Sequence, residues 1–131
     1  MSTPTSSPYK STGGAKRIVR AIKYSYQGLA AAWRFEAAFR QECVLACVLL
    51  PSSFWLGRNL TEVFLLCAVV VVVLILELIN SALEALADTI SSEHHPLLGR
   101  AKDLGSAAVF LGMLLLITWW GGVAIDRFLL S

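Results

Sequence analysis

Five polar side chains interrupt a long apolar stretch at a spacing that a helix turns into one face. Glu77, Asn80, Ser81, Glu84 and Asp88 fall at i, i+3, i+4, i+7 and i+11. At about 100° per residue they form a narrow stripe, and Leu78, Ile79, Leu83 and Leu86 take the remaining circumference. Carboxylates placed where water is scarce are costly, so such a row invites a chemical role. One role is to hold Mg²⁺, which takes one or two protein carboxylates and completes its shell with phosphate oxygens. Another is for a carboxylate to take the proton of a hydroxyl as a general base. The plainer alternative is that the acids pair with cations on other helices and fix their register. Glu36 and Asp103 add further carboxylates, and Arg40, Arg100 and Lys102 supply cations nearby in the sequence of polar helix ends. Arg40 stands four residues after Glu36, where pairing within one helix suffices. Glu77 has no Lys or Arg three or four residues away, so it needs a tertiary partner or a function. Lys102 suits a phosphate as a point charge.

Other chemistries lack their residues. The sequence has no GxxxxGK[ST], because Gly13-Gly14-Ala15-Lys16 misses the first glycine and the spacing, and it has no GxGxxG, HRD or DFG pattern. Glu93-His94-His95 is poorly spaced for chelation and reads as a hydrated loop or a nucleotide contact. Cys43, Cys47 and Cys67 lie in apolar surroundings, without the ligand set of a redox metal or haem, and read as packing residues.

The elements that must position the stripe follow from composition. The chain has 131 residues, enough for one domain, with 56% hydrophobic and 15% charged residues and a mean hydropathy of +0.67. Soluble domains carry about 25% charged residues. A globule this small cannot hide so much apolar surface, so the bilayer is the expected solvent, and a disordered chain, a coiled coil or an ordinary soluble enzyme is excluded. The net charge of +2 gives no reason to expect nucleic acid.

Residues 1–14 have no signal-type apolar run and are expected to form a disordered tail, with 15–131 a single all-α membrane domain. Over about 15–35, Lys16, Arg20, Lys23, Gln27 and Arg34 share one face, and Ile18, Ile22, Leu29 and Trp33 another. That predicts a helix lying in the membrane interface, the alternative being a soluble helix docked on a core. Spans are predicted over about 36–56, 60–91 and 98–127. Between Asp103 and Asp126 lie 22 uncharged residues, about 33 Å of helix, with Trp119 and Trp120 placed as an interface belt. The runs of 15 after Glu42 and 14 after Glu62 are short of the roughly 20 needed, so those helices must carry polar residues into the membrane. Pro51 lies within or ends the first span, Gly57-Arg58-Asn59 is a turn, Pro96 and Gly99 mark a loop, and Asp126-Arg127 reads as solvated. Seven of the eleven Lys and Arg precede the uncharged run that follows Glu42, which predicts a cytoplasmic amino terminus and an external carboxyl terminus.

Three blocks, Glu36-Ala-Ala-Phe-Arg-Gln-Glu42, Glu77-Leu-Ile-Asn80-Ser-Ala-Leu-Glu84 and Gly99-Arg-Ala-Lys-Asp103-Leu-Gly-Ser-Ala-Ala-Val109, in this order resemble the prokaryotic diacylglycerol kinase family. The resemblance runs from about Arg17 to Trp120. It implies an integral enzyme of the bacterial inner membrane, a homotrimer of three-span protomers with an amino-terminal surface helix. A protomer of only three spans needs a neighbour to shield its polar stripe, which predicts sites shared between chains. It implies transfer of the γ-phosphoryl of MgATP to the hydroxyl of diacylglycerol, giving phosphatidic acid. By matching position, Glu77 is implied as the base, Glu36 and Glu84 as the Mg²⁺ carboxylates, and Asn80 as their support. Arg17, Tyr24, Glu36, Glu84, Glu93, His94, His95, Lys102 and Asp103 are implied at the nucleotide. Arg17, Ala21, Ala38, Phe39, Arg40, Gln41, Glu42, Glu77 and Ser106 are implied at the lipid. Relatives that phosphorylate undecaprenol share the ExxNxxxE and AKD features, but Phe39-Arg-Gln-Glu42 and Gly105-Ser-Ala-Ala108 look more like the diacylglycerol branch. A small proton-coupled transporter is the rival from another class, and it would need its carboxylates near the midplane. A scaffold protein would tolerate loss of Glu77.

Overall fold

The computed structural model describes residues 13–90 and 95–130. They form four α-helices, α1 (Gly14–Phe35), α2 (Ala37–Leu56), α3 (Leu60–Ile90) and α4 (Pro96–Ile125), followed by a π-helical turn over Asp126–Leu130. Most of the predicted tail lies outside the described residues, as do Glu93 and His94.

α3 is the frame of the molecule. Its 31 residues reach about 46 Å at 1.5 Å each, well beyond the ~30 Å of a hydrocarbon core. No Gly or Pro breaks it, and its Val- and Leu-rich upper part packs mainly against α4 and next against α2. The buried positions Val63, Leu66, Val70 and Val73 step by three and four, and Glu77, Asn80 and Ser81 continue the same face. The polar stripe is therefore the lower end of the inward face, turned toward other helices. The apolar core gathers Ala46 of α2, Val70 and Val73 of α3, and Leu116 of α4, with Leu50, Met113 and Trp120 packed around it.

The outside is apolar too. Val44, Val48, Phe64, Val71, Ile75, Phe110, Leu111 and Ile117 are all exposed. A surface of this kind is stable in lipid and aggregation-prone in water. α3 and α4 are each long and apolar enough to cross a membrane. α2 is not, because Arg40, Gln41 and Glu42 dilute one end and Pro51-Ser52-Ser53 the other.

The structure corrects several expectations about ends and partners. α2 starts at Ala37, leaving Glu36 as an extended corner residue (φ −105°, ψ 110°) between α1 and α2. Pro51 lies within α2 without ending it; Ser52 Oγ donates to Val48 O, and the fully buried Ser53 Oγ to Leu50 O at 2.6 Å. Ser53 also meets Cys67 Sγ at 3.0 Å, and all three cysteines are free. Gly99 is helical: α4 begins at Pro96, whose fixed φ suits a first helical turn and whose missing N–H leaves nothing unsatisfied there. α4 runs to Ile125 and continues directly into the π-helical turn Asp126–Leu130. Trp120 also has a partner within the bundle: its indole Nε1 donates to Leu66 O at 3.2 Å across the α3–α4 contact.

Asp126 and Arg127 are not simply solvated either. Arg58, in the α2–α3 turn, pairs with both Glu62 and Asp126. The hydrogen bond from Glu62, and then that from Asp126, hold its guanidinium above the usual arginine range. Arg127 Nη1 donates to Leu56 O at 2.6 Å and lies over Trp55 and Phe128. This clasp ties the carboxyl end of α4 to the turn, at the end of the bundle away from the acidic stripe.

Close approach of α3 and α4 depends on Gly112. An added Cβ would stand 2.7 Å from Leu76 Cδ1. Gly112→Ala is expected to lose about 1–3 kcal/mol through overpacking, read as a lower midpoint of unfolding in mixed micelles.

Candidate functional site

Helical rise places the stripe at one end. Glu77 lies about 26 Å along α3 from Leu60, Glu84 about 36 Å and Asp88 about 42 Å, so the acids begin at the margin of an apolar slab and run out of it. Glu77 is 4% exposed, Asn80 8% and Ser81 9%, whereas Asp88 is exposed. α4 runs antiparallel and brings Lys102 Nζ to Asp88 Oδ1 at 3.0 Å, with Glu84 also within its electrostatic reach.

The α1–α2 corner supplies the third carboxylate. Glu77 feels the charges of Glu84 first and then of Glu36, and Glu42 on α2 feels that of Glu77. None of Glu36, Glu77 and Glu84 takes part in the ion pairs formed among the described residues. Asn80 Nδ2 reaches Glu84 Oε1 at 3.5 Å, while Asn80 Oδ1, Ser81 Oγ and Glu42 Oε2 are buried without a hydrogen-bond partner among the described residues. A groove of about 620 Å³ opens beside them, between Gly28, Leu29, Ala32 and Glu36 on one side and Leu78, Ser81, Ala82 and Ala85 on the other.

The corner is held by a residue assigned to lipid on sequence grounds. Arg40 Nη1 donates to Trp33 O at 2.9 Å and to Arg34 O at 3.3 Å, capping the last carbonyls of α1. Its Glu36 pairing alternative is not realised. Arg40→Ala should free this end of α1. Amide exchange over residues 33–36 is expected to rise about tenfold, the loss of one to two charge-assisted bonds.

The remaining predicted residues divide by place. Arg17, Ala21 and Tyr24 are exposed on α1, and Ala38 and Gln41 on the first turns of α2, where Phe39 is buried. Asp103 and Ser106 are exposed on α4. Exposed His95 precedes α4 and caps it, its Nδ1 accepting from Leu97 N at 3.3 Å. The described residues hold no cage of three or more His, Cys, Asp or Glu. Two carboxylates on separate elements beside orphaned amide and hydroxyl oxygens fit Mg²⁺, which leaves most of its shell to phosphate and water. Gly105, buried against Asn80, was visible in the sequence only as part of a small-residue run.

An all-helical fold with membrane-spanning apolar helices and carboxylates gathered at one end of its bundle defines a class, a helical membrane protein. The chain belongs to the prokaryotic diacylglycerol kinase family, which matches residues 23–124. It is 47% identical over 115 residues to the diacylglycerol kinase of Haemophilus influenzae, covering 88% of this chain and 97% of the relative. It is 46% identical to those of Pseudomonas aeruginosa (89% of this chain, 95% of the relative) and Escherichia coli K12 (83% and 89%).

Proposed function

We propose how the residues of this membrane chain carry out the ATP-dependent diacylglycerol kinase activity that its family membership gives it. The observation that carries the proposal is the convergence of Glu36, Glu77 and Glu84, without ion-pair partners among the described residues, at one end of the bundle.

A lipid hydroxyl is a weak nucleophile, and Glu77 is the carboxylate placed to take its proton as the oxygen attacks the γ-phosphorus. The bond from that phosphorus to the β-phosphate bridging oxygen breaks, and ADP leaves with it. Glu36 and Glu84 would hold Mg²⁺, which would supply charge neutralisation to the transferring phosphoryl group. Asn80 holds Glu84, and Lys102, shared with Asp88, meets the phosphates as a point charge. Asp103, His95, Arg17 and Tyr24 contact the nucleotide beyond them, with Glu93 and His94. The groove beside α1 takes the glycerol end of the lipid, with the acyl chains left in the bilayer. Phe39, Ala38, Gln41, Glu42, Ala21 and Ser106 border the lipid.

α2 completes three crossings, since neighbouring subunits can shelter its polar end. Homotrimeric assembly supplies that shelter and shares each site between chains. The basic amino-terminal side faces the cytoplasm of a bacterial inner membrane, and the carboxyl terminus the periplasm. The test is labelled phosphoryl transfer from γ-labelled MgATP in mixed micelles containing diacylglycerol or undecaprenol. Label in phosphatidic acid is expected; label only in the undecaprenol product would move the chain to the other branch, and none in either would remove the kinase assignment.

A further inference from the structure

Asn80 is confined from both sides. It lies on the inward face of α3, 8% exposed, and its amide nitrogen reaches along the helix to Glu84 Oε1. Its amide oxygen lies directly over Gly105 of α4, buried and without a donor. A Cβ built on Gly105 would fall inside the contact radius of Asn80 Oδ1 and touch Asn80 Cγ and Leu83 Cδ1, each at 3.4 Å. Neither neighbour yields easily. Leu83 packs on the same helix turn, and an Asn side chain within a helix has few staggered alternatives. The space left by hydrogen at Gly105 is thus the space the amide occupies.

We propose that Gly105 is a positioning residue of the kinase site. By lacking a side chain it lets the Asn80 amide lie against α4, and that placement directs Nδ2 to Glu84 and orients the carboxylate toward the metal–nucleotide. Gly105 touches no reacting atom; its effect passes entirely through Asn80. Because the consequence is read at Glu84, the proposal rests on the metal role given to Glu84 above.

Four full-length variants in mixed micelles test it: Gly105→Ala, Asn80→Ala, their combination, and Glu84→Gln. The readouts are the Mg²⁺ concentration for half-maximal activity, the KM for diacylglycerol, and the unfolding midpoint. Gly105→Ala is expected to raise the Mg²⁺ requirement at least tenfold, with KM for diacylglycerol within twofold of wild type. In the Asn80→Ala background the added methyl no longer meets the amide and keeps only an ordinary contact with Leu83 Cδ1. The double variant should then match Asn80→Ala in Mg²⁺ requirement, and it should regain the stability Gly105→Ala loses. An unchanged Mg²⁺ requirement in Gly105→Ala overturns the proposal, as does an equal loss of stability in both backgrounds, which would mark Gly105 as a packing residue. Should Gly105→Ala fail to fold, the double variant decides: folding like Asn80→Ala supports the proposal, and failure to fold overturns it. Glu84→Gln separates the two levels. If it leaves the Mg²⁺ requirement unchanged, the metal role of Glu84 falls; if it shifts while Gly105→Ala does not, only the positioning role falls.

Discussion

Glu77→Gln should lower kcat by about 10²–10⁴-fold, the usual worth of a positioned general base, with little change in the KM for MgATP. The substitution keeps the shape of the side chain and removes its capacity to accept a proton. It also removes one of three neighbouring negative charges, Glu36 and Glu84 being the others that Glu77 feels. Nucleotide binding is therefore preserved or slightly improved while transfer fails. Steady-state kinetics with diacylglycerol in excess check this. A fall in kcat below tenfold, with the variant folded, would mean that the hydroxyl is deprotonated elsewhere.

Glu84→Gln and Glu36→Gln should behave differently. An amide oxygen is a poorer Mg²⁺ ligand than a carboxylate, and Mg²⁺ takes few protein ligands, so each counts. The Mg²⁺ requirement is expected to rise about 10–100-fold in either variant, the scale seen when the supports of a metal site are removed. Activity should recover partly at high Mg²⁺, as it cannot for Glu77→Gln. A simple loss of kcat at unchanged Mg²⁺ requirement would place the metal on other residues.

The acidic stripe and the helices that carry it were legible because their cause is local. Glu77, Asn80, Ser81 and Glu84 share a face by spacing alone, and the unbroken run of Leu60–Ile90 dictates one helix. The amphipathic pattern of α1 was equally plain. Tertiary effects were not. Arg40 suits a Glu36 pair by spacing and a lipid contact by resemblance, and only the turn at Glu36 brings it back onto Trp33 O and Arg34 O. The hydrogen bond of Trp120 to Leu66 O joins residues 54 apart, and no spacing in the sequence announces it. Asp126 looks solvated until the α2–α3 turn delivers Arg58, 68 residues away in sequence. Pro96 and Gly99 suggested a loop by composition, but proline is at home in a first helical turn. Gly105 was legible only as one of a run of small residues, since a glycine's importance lies in the neighbour that fills its space.

The chemistry is assigned to one end of the bundle, and paramagnetic broadening locates it directly. Mn²⁺ with a non-hydrolysable ATP analogue is bound to protein lacking its native cysteines, with a nitroxide at Thr89→Cys or at Thr61→Cys. These exposed positions lie about 42 Å apart along α3. Strong broadening is predicted at residue 89 and none at residue 61, with the effect at 89 abolished by Glu84→Gln combined with Glu36→Gln. Broadening at residue 61, or broadening at 89 that survives the double substitution, would contradict a metal–nucleotide site built from these carboxylates.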